Sequence, residues 1–344
     1  MNRKDEHVKF ALEQANMKTS HDFDEVRLIH HSLKSIDVDD VCLQTQIGAI
    51  ELAVPFYINA MTGGSEKTKE INEKLATVAK AVGCAMAVGS MSAAMKDDNL
   101  WDSFTVVRDT YPQGVLFANL NPNYSVEKAQ LAVDKIGAKA LQIHLNAAQE
   151  IVMPEGDRAF SHWVDAIKTL VNSLKVDVII KEVGFGMSRE TIHQLKQLGV
   201  KIIDVSGKGG TNFIRIENRR RQESNMDYLN EWGQSTVESL LEAYEYKDSL
   251  DLVASGGLRH PLDFLKAFVL GAKAVGVSGL VLGSVVNAGV DETIELLERW
   301  KAELKLLMAL VGVKSIAELR QVDFVLSTRL NNYCAGRKIN IQKG

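Results

Sequence analysis

Three polar residues spaced two apart, Gln142, His144 and Asn146, alternate with Ile143 and Leu145, and a strand that carries them turns all three to one side. Three and four positions beyond Asn146 stand Gln149 and Glu150. An amide and a carboxylate at the rim of one element suit a hydrated Mg²⁺ beside a diphosphate, because Mg²⁺ takes few protein oxygens and keeps several waters. A lone histidine is most often structural, but in this company His144 points to ligand contact. Lys181 closes the apolar run Val178-Ile179-Ile180, where a partly desolvated ammonium needs an anionic or strongly polar partner. Two uses fit it: a structural ion pair with Glu182 or another strand-end carboxylate, or a cation at the N1/O2 edge of a flavin, where it favours the anionic reduced ring. Near the start, Arg3, Lys4 and His7 share a helical face through i+3 and i+4 spacing. Spacing alone leaves open whether they are a charged terminus or a basic arm that closes over an anionic substrate.

The elements that must position these residues follow from hydrophobic period. Short β-rich apolar runs recur, each followed by a segment of helical spacing, which is the pattern of parallel βαβ units. The strands expected are 56–60, 85–88, 115–119, 140–146, 176–181, 201–205, 250–254 and 274–277. Eight such units predict a (β/α)8 TIM barrel. Ser125 to Ile136 and Ser188 to Leu198 read as crossover helices, each with a Ser N-cap and a glycine, Gly137 or Gly199, just past its end. The stretch 207–234 is polar, contains glycine and exceeds an ordinary βα loop, so it should lie over the mouth of the barrel. An N-terminal extension precedes the first strand, and a helix over 292–310 leads a C-terminal helical tail. No Pro/Gly/Ser-rich linker separates them, so residues 1–344 are expected to form one domain.

A (β/α)8 enzyme carries its chemistry at the C-terminal strand ends. Here those ends are Ala60-Met61-Thr62, Gly89-Ser90, Asn119, the His144 row, Lys181, Ser206 to Thr211, Ser255-Gly256-Gly257-Leu258 and Ser278-Gly279. Barrels often bind phosphate with the loops after strands seven and eight and a nearby helix N-terminus. Gly256, Gly257 and Gly279 let backbone N–H groups approach an anion with no Cβ in the way, which predicts a phosphorylated ligand or cofactor.

Composition limits the classes. Hydrophobic residues make up 46% of the 344, and 40 basic against 44 acidic residues leave a net charge of −4. That supports one large core and argues against nucleic-acid binding by counterion release. The basic cluster Arg219-Arg220-Arg221 reads as a solvated loop or a salt-bridged helix end, in preference to an anion site. Cys42, Cys84 and Cys334 are far apart, without disulfide or zinc spacing. No signal-like or membrane-spanning apolar run is present, so a cytoplasmic protein is expected.

Taken together, these motifs resemble one family, the type 2 isopentenyl diphosphate isomerases. Arg3-Lys4-Asp5-Glu6-His7 resembles its RKxxH element, 59–64 its NAMTGG loop, 142–150 its QIHxNxxQE segment, 180–188 its KEVGFGMS segment, 204–212 its DVSGxGGTN loop and 254–259 its ASGGxR loop. The elements stand in family order along most of the chain. The resemblance implies FMN bound by Ala60, Met61, Thr62, Ser90, Asn119, Lys181, Ser206, Thr211, Gly256, Gly257, Leu258, Ser278 and Gly279. It implies a diphosphate held by Arg3, Lys4, His7, His144, Asn146 and Gln149, with Glu150 on Mg²⁺. The reaction implied is the interconversion of isopentenyl and dimethylallyl diphosphate in isoprenoid biosynthesis. It is a 1,3 allylic proton shift with reduced FMN, in which Gln149 and Lys181 are catalytic and NAD(P)H serves only as reductant. Met91-Ser92-Ala93 falls in a stretch that varies in the family and carries over no substrate contact, and Leu280 after Gly279 leaves only backbone roles there. Association into a homo-oligomer is expected. The rival reading is an FMN-dependent hydroxy-acid oxidoreductase, which needs a His/Arg arrangement for a carboxylate near the late strands, and Arg259-His260 stands there. A flavin-binding module without catalysis has no need of the row from His144 to Glu150.

Overall fold

The computed structural model describes residues 3–15, 21–221 and 225–341, the side chains of Arg3 and Ala15 excepted. Eight parallel strands close into a barrel: β1 (Phe56–Ile58), β2 (Ala85–Ala87), β3 (Leu116–Leu120), β4 (Ala140–Leu145), β5 (Asp177–Glu182), β6 (Ile202–Asp204), β7 (Asp251–Ser255) and β8 (Ala272–Val277). Each pairs with its successor and β8 returns to β1, so the sheet has no open edge. All eight strands expected from the sequence are present, with ends shifted by one or two residues.

The helices are α1 (Arg3–Ala15), α2 (Glu66–Val82), α3 (Asp102–Thr110), α4 (Val126–Ile136), α5 (Ala147–Val152), α6 (Trp163–Ser173), α7 (Arg189–Gln197), α8 (Phe213–Arg220), α9 (Thr236–Glu242), α10 (Pro261–Val269), α11 (Gly279–Asn287), α12 (Val290–Val311) and α13 (Thr328–Arg337). The expected caps form: Ser125 and Ser188 accept from the N–H groups of Lys128 and Thr191, and Gly137 ends α4 in the left-handed region.

Two apolar layers result from strand alternation. Outward residues such as Phe56, Ile58 and Ile180 pack under the helices, while Tyr57, Phe117, Ile179, Ile202 and Val253 fill the barrel. The N-terminal end of the barrel is plugged by Ile47, Ile50 and Leu52 from an antiparallel hairpin, Thr45–Ile47 with Ile50–Leu52. The hairpin turn is pinned by Gly48 N–H donating to Asp251 and Ala49 N–H to Asp177. With this end filled by hydrocarbon, polar side chains collect at the other end.

The two terminal additions are tied together. Val26–Leu28 pairs antiparallel with Phe324–Leu326, and Arg337 of α13 reaches the buried carboxylate of Glu242 on α9 at 2.6 Å. The expected helix over 292–310 is α12, longer by two residues at its start and one at its end. Among the described residues no helix is long and apolar enough to cross a membrane.

The stretch 207–234 departs from expectation: it contains α8. Its buried face holds Ile214 and Ile216 together with Glu217 and Asn218, and this polar half hides the amphipathic period from a hydropathy reading. Arg219 and Arg220 form a salt-bridged helix end, with Glu13 on the first and Glu6, Glu155 and Glu217 on the second.

Candidate functional site

A cavity of about 570 Å³ opens at the C-terminal ends of the strands, where the parallel register brings inward side chains side by side. Asn119 pairs with Gln142, His144 with Lys181, and Lys181 with Asp204. Ala60, Met61, Ser90, Asn119, Lys181, Ser206, Thr211, Gly256, Gly257, Leu258, Ser278 and Gly279 all line it, as do Lys4, His7, His144, Asn146, Gln149 and Glu150. Of the residues expected at the site, Thr62 is not on the wall; it is buried behind it, its carbonyl accepting from Gly89 N–H. The side chain of Arg3 lies outside the described residues.

Asp204, which sequence reasoning did not single out, organises the base of the cavity. It has no exposed surface, and accepts from Ser255 Oγ at 2.7 Å, Asn59 Nδ2 at 3.0 Å and Ser206 N–H at 3.2 Å. Lys181 Nζ lies 3.3 Å from its Oδ2. The strand-end carboxylate paired with Lys181 is therefore Asp204, while Glu182 offers its main-chain carbonyl at 3.0 Å and turns its carboxylate to the N–H groups of Val183 and Phe185. Ser206 adopts φ 31°, a conformation uncommon outside glycine, and its Oγ accepts from Lys181 at 3.1 Å. The ammonium is thus neutralised, held on several sides and still part of the cavity wall.

A carboxylate can only accept, and this one fact orients a chain of amides. Asn59 must turn Nδ2 to Asp204, so its Oδ1 accepts from Gln142 Nε2 at 3.0 Å. Gln142 Oε1 then accepts from Asn119 Nδ2 at 3.1 Å, and Asn119 Oδ1 faces His144 Nδ1 at 2.8 Å. His144 therefore carries its proton on Nδ1 and leaves Nε2 as an acceptor. Burial, with Lys4 and Lys181 nearby, pushes its pKa down to about 3, so the imidazole is neutral.

The rim residues form a second group. Asn146 Nδ2 donates to Glu150 Oε1 at 2.8 Å, and Asp157 N–H donates to Glu150 Oε2 at 2.8 Å. Gln149 Nε2 donates to Glu217 Oε1 at 2.8 Å, and His7 Nε2 lies 2.9 Å from that oxygen. Burial pushes the Glu217 carboxyl up, but His7, Gln149 and Arg220 more than offset it and hold it at about 2. Glu217 escaped the sequence reading because it sits inside the supposed loop; its i,i+3 spacing to Arg220 was the available signal.

The donors fit an anionic aromatic cofactor and a hydrated cation. Gly256, at φ 92°, lies so close to the preceding loop that a Cβ would stand 2.1 Å from Gly207 O, which keeps this rim all backbone. Ser278 makes no side-chain cap to α11, so the first N–H groups of that helix, beside Gly279 in the wall, remain for an anion. Thr62 Oγ1 and Asn146 Oδ1 are buried without a hydrogen-bond partner. An acceptor such as Asn146 Oδ1, next to Glu150, suits a metal-bound water. Among the described residues no group of three His, Cys, Asp or Glu could cage a metal.

Arg259, at the position a hydroxy-acid substrate would want, is engaged by Asp24 at 2.6 Å and Asp263 at 2.8 Å.

The FMN-dependent dehydrogenase family matches residues 98–325. Proteins named isopentenyl-diphosphate delta-isomerase are similar over nearly the whole chain. That of Staphylococcus haemolyticus is 51% identical over 342 residues, covering 99% of this chain and 98% of the relative. That of Staphylococcus saprophyticus is 49% identical over 340 residues, with the same coverage. Among solved structures, a mandelate oxidase variant with a monooxide FMN adduct superposes with TM-score 0.64 at 18% identity, over 94% of this chain and 92% of that one. At that identity the likeness is one of fold.

Proposed function

The chain belongs to the isopentenyl-diphosphate delta-isomerase family, and from that premise we propose how its own residues divide the work. The reaction transposes a C=C bond between isopentenyl and dimethylallyl diphosphate, leaving the oxidation level unchanged. Bound FMN supplies acid–base chemistry at a hydrocarbon carbon that no side chain in the cavity is acidic enough to protonate. Lys181, fixed by Asp204, would offset negative charge on the reduced ring, and the backbone of Gly256, Gly257 and Gly279 with Thr211 would hold the cofactor phosphate. Arg3, Lys4, His7 and His144 take the diphosphate; Glu150, with Asn146 beside it, holds Mg²⁺ against it. Gln149, steadied by Glu217, orients the substrate or passes a proton.

One observation carries this reading. One continuous cavity joins the Lys181–Asp204 pair to the His144–Glu150 row and to Lys4 and His7 of α1, so an aromatic anion and a diphosphate can lie in contact. NAD(P)H serves to reduce the flavin and is not consumed with product. The 344 residues act as one unit, in the cytoplasm, where the free thiols of Cys42, Cys84 and Cys334 would persist, and copies associate as a homo-oligomer. The alternative, oxidation of a hydroxy acid, is disfavoured because Arg259 is already paired with two carboxylates.

The test counts electrons. After one anaerobic reduction of the FMN, the enzyme with Mg²⁺ should turn over many molecules of isopentenyl diphosphate, and nicotinamide oxidised should track flavin. In deuterated water the carbon that gains a proton should carry deuterium. One nicotinamide consumed per product molecule, or full-rate turnover with oxidised flavin, would overturn the reading.

A further inference from the structure

Gln14, in the last turn of α1, pairs with the main chain of Asn212 at two points. Its Nε2 donates to Asn212 O at 3.2 Å, and its Oε1 accepts from Asn212 N–H at 2.8 Å. This satisfies a backbone donor and acceptor together, as a neighbouring strand would. Asn212 is also the N-cap of α8, its Oδ1 accepting from Arg215 N–H at 3.0 Å, and its Nδ2 donates to Asn230 O at 2.8 Å.

The place of the clasp matters more than its strength. Immediately before Asn212 come Gly209, Gly210 and Thr211, where three strand-end loops converge. A Cβ on Gly210 would stand 3.1 Å from Gly257 N, and one on Gly279 would stand 3.4 Å from Thr211 Oγ1. On its other side Gln14 belongs to the helix that brings Lys4 and His7 to the cavity. α1 packs against both ends of α8: Gln14 meets Asn212 at its start, and Glu6 meets Arg220 at 3.2 Å at its end. Glu13 pairs with Arg219 at 2.6 Å, with Phe10 beneath that guanidinium at 4.4 Å. The Glu13–Arg219 pair is exposed and of the kind that contributes little. The Gln14 clasp ties α1 directly to the main chain next to the Thr211 loop.

We propose that Gln14 is a positioning residue that couples the two binding events, so that diphosphate and FMN each tighten the other. Seating α1 on a diphosphate holds Asn212, which holds the Thr211 loop in the form that receives the cofactor phosphate. By linkage the effect is reciprocal. The inference rests on the reading that α1 takes the diphosphate and the Thr211 loop meets the FMN phosphate.

The experiment titrates FMN into the FMN-free full-length protein by flavin fluorescence, with and without Mg²⁺ and inorganic diphosphate. In the parent protein diphosphate should lower the FMN Kd about tenfold. In Gln14→Ala that effect should shrink to about twofold or less, while the Kd without diphosphate stays within about twofold of the parent's. Gln14→Glu keeps the acceptor for Asn212 N–H but loses the donor, and should fall between; it carries the test if Gln14→Ala does not fold. Glu13→Ala loses the exposed pair on the same helix and should keep the full coupling. The proposal is overturned if diphosphate leaves the parent's FMN affinity unchanged, if Gln14→Ala couples as the parent does, or if Glu13→Ala loses as much. A parent that isomerises with FMN yet gives one of these results loses this inference alone. One that binds no flavin or forms no product loses the functional reading, and this inference with it.

Discussion

Replacing Lys181 by Met, Asp204 by Asn, and then both together closes a double-mutant cycle on the buried charge pair at the base of the cavity. At 3.3 Å and an effective dielectric of about 20, the Coulomb attraction is about 5 kcal/mol before desolvation is subtracted. Removing either partner strands the other as a buried charge, which costs roughly 3–5 kcal/mol. Asp204→Asn should stand at the upper end, because it also sets an NH₂ among the donors from Asn59, Ser255 and Ser206. The double variant leaves no lone charge, so its loss should fall short of the sum of the singles by roughly 1–3 kcal/mol. Urea unfolding of the four FMN-free proteins measures this. Isomerase turnover should behave differently: the double variant should be as slow as Lys181→Met, because the cation wanted by the reduced flavin is missing in both. Strictly additive stabilities would mean the pair is not coupled as drawn, and recovery of turnover in the double variant would refute a role for Lys181 toward the cofactor.

Glu150→Gln preserves shape while removing charge; it should depress turnover and flatten the response to Mg²⁺ without altering the flavin spectrum, and a parent-like metal response would count against the assignment. His144 has a folded pKa of about 3 against an ordinary 6.5, so as pH falls from about 6.5 toward 3 the unfolded chain takes up a proton that the folded state refuses, and stability declines. His144→Gln should flatten that acid limb, and ¹⁵N NMR should find a neutral Nδ1–H imidazole from pH 5 to 8; a normal titration near 6.5 would contradict the amide chain. Replacing Arg3 and Lys4 together with Ala should raise the KM for isopentenyl diphosphate several-fold and move Tm by no more than a few degrees; a large Tm loss at unchanged KM would make α1 structural only.

The barrel was legible from sequence because its determinants are local. Alternation within each strand, Ser N-caps at Ser125 and Ser188, and Gly137 past a helix end each act within a few residues, and eight repeats of the unit leave one common closed form. The polar strand ends were legible for the same reason: period two fixes which side Gln142, His144 and Asn146 share, and barrel architecture fixes which end faces the ligand. Tertiary structure decided the rest. Asp204 looks from sequence like the end of an apolar strand, and only the register that sets it beside Lys181 makes it the counterion. The tautomer of His144 is settled four side chains away, by a carboxylate that can only accept. Glu217 and Gln14 act across the gap between α1 and α8, segments some 200 residues apart, and α8 itself was masked because half its buried face is polar. Propensity and period are properties of neighbours along the chain. Pairing of charges and the direction of a hydrogen-bond chain belong to neighbours in space, and these appear only once the barrel has closed.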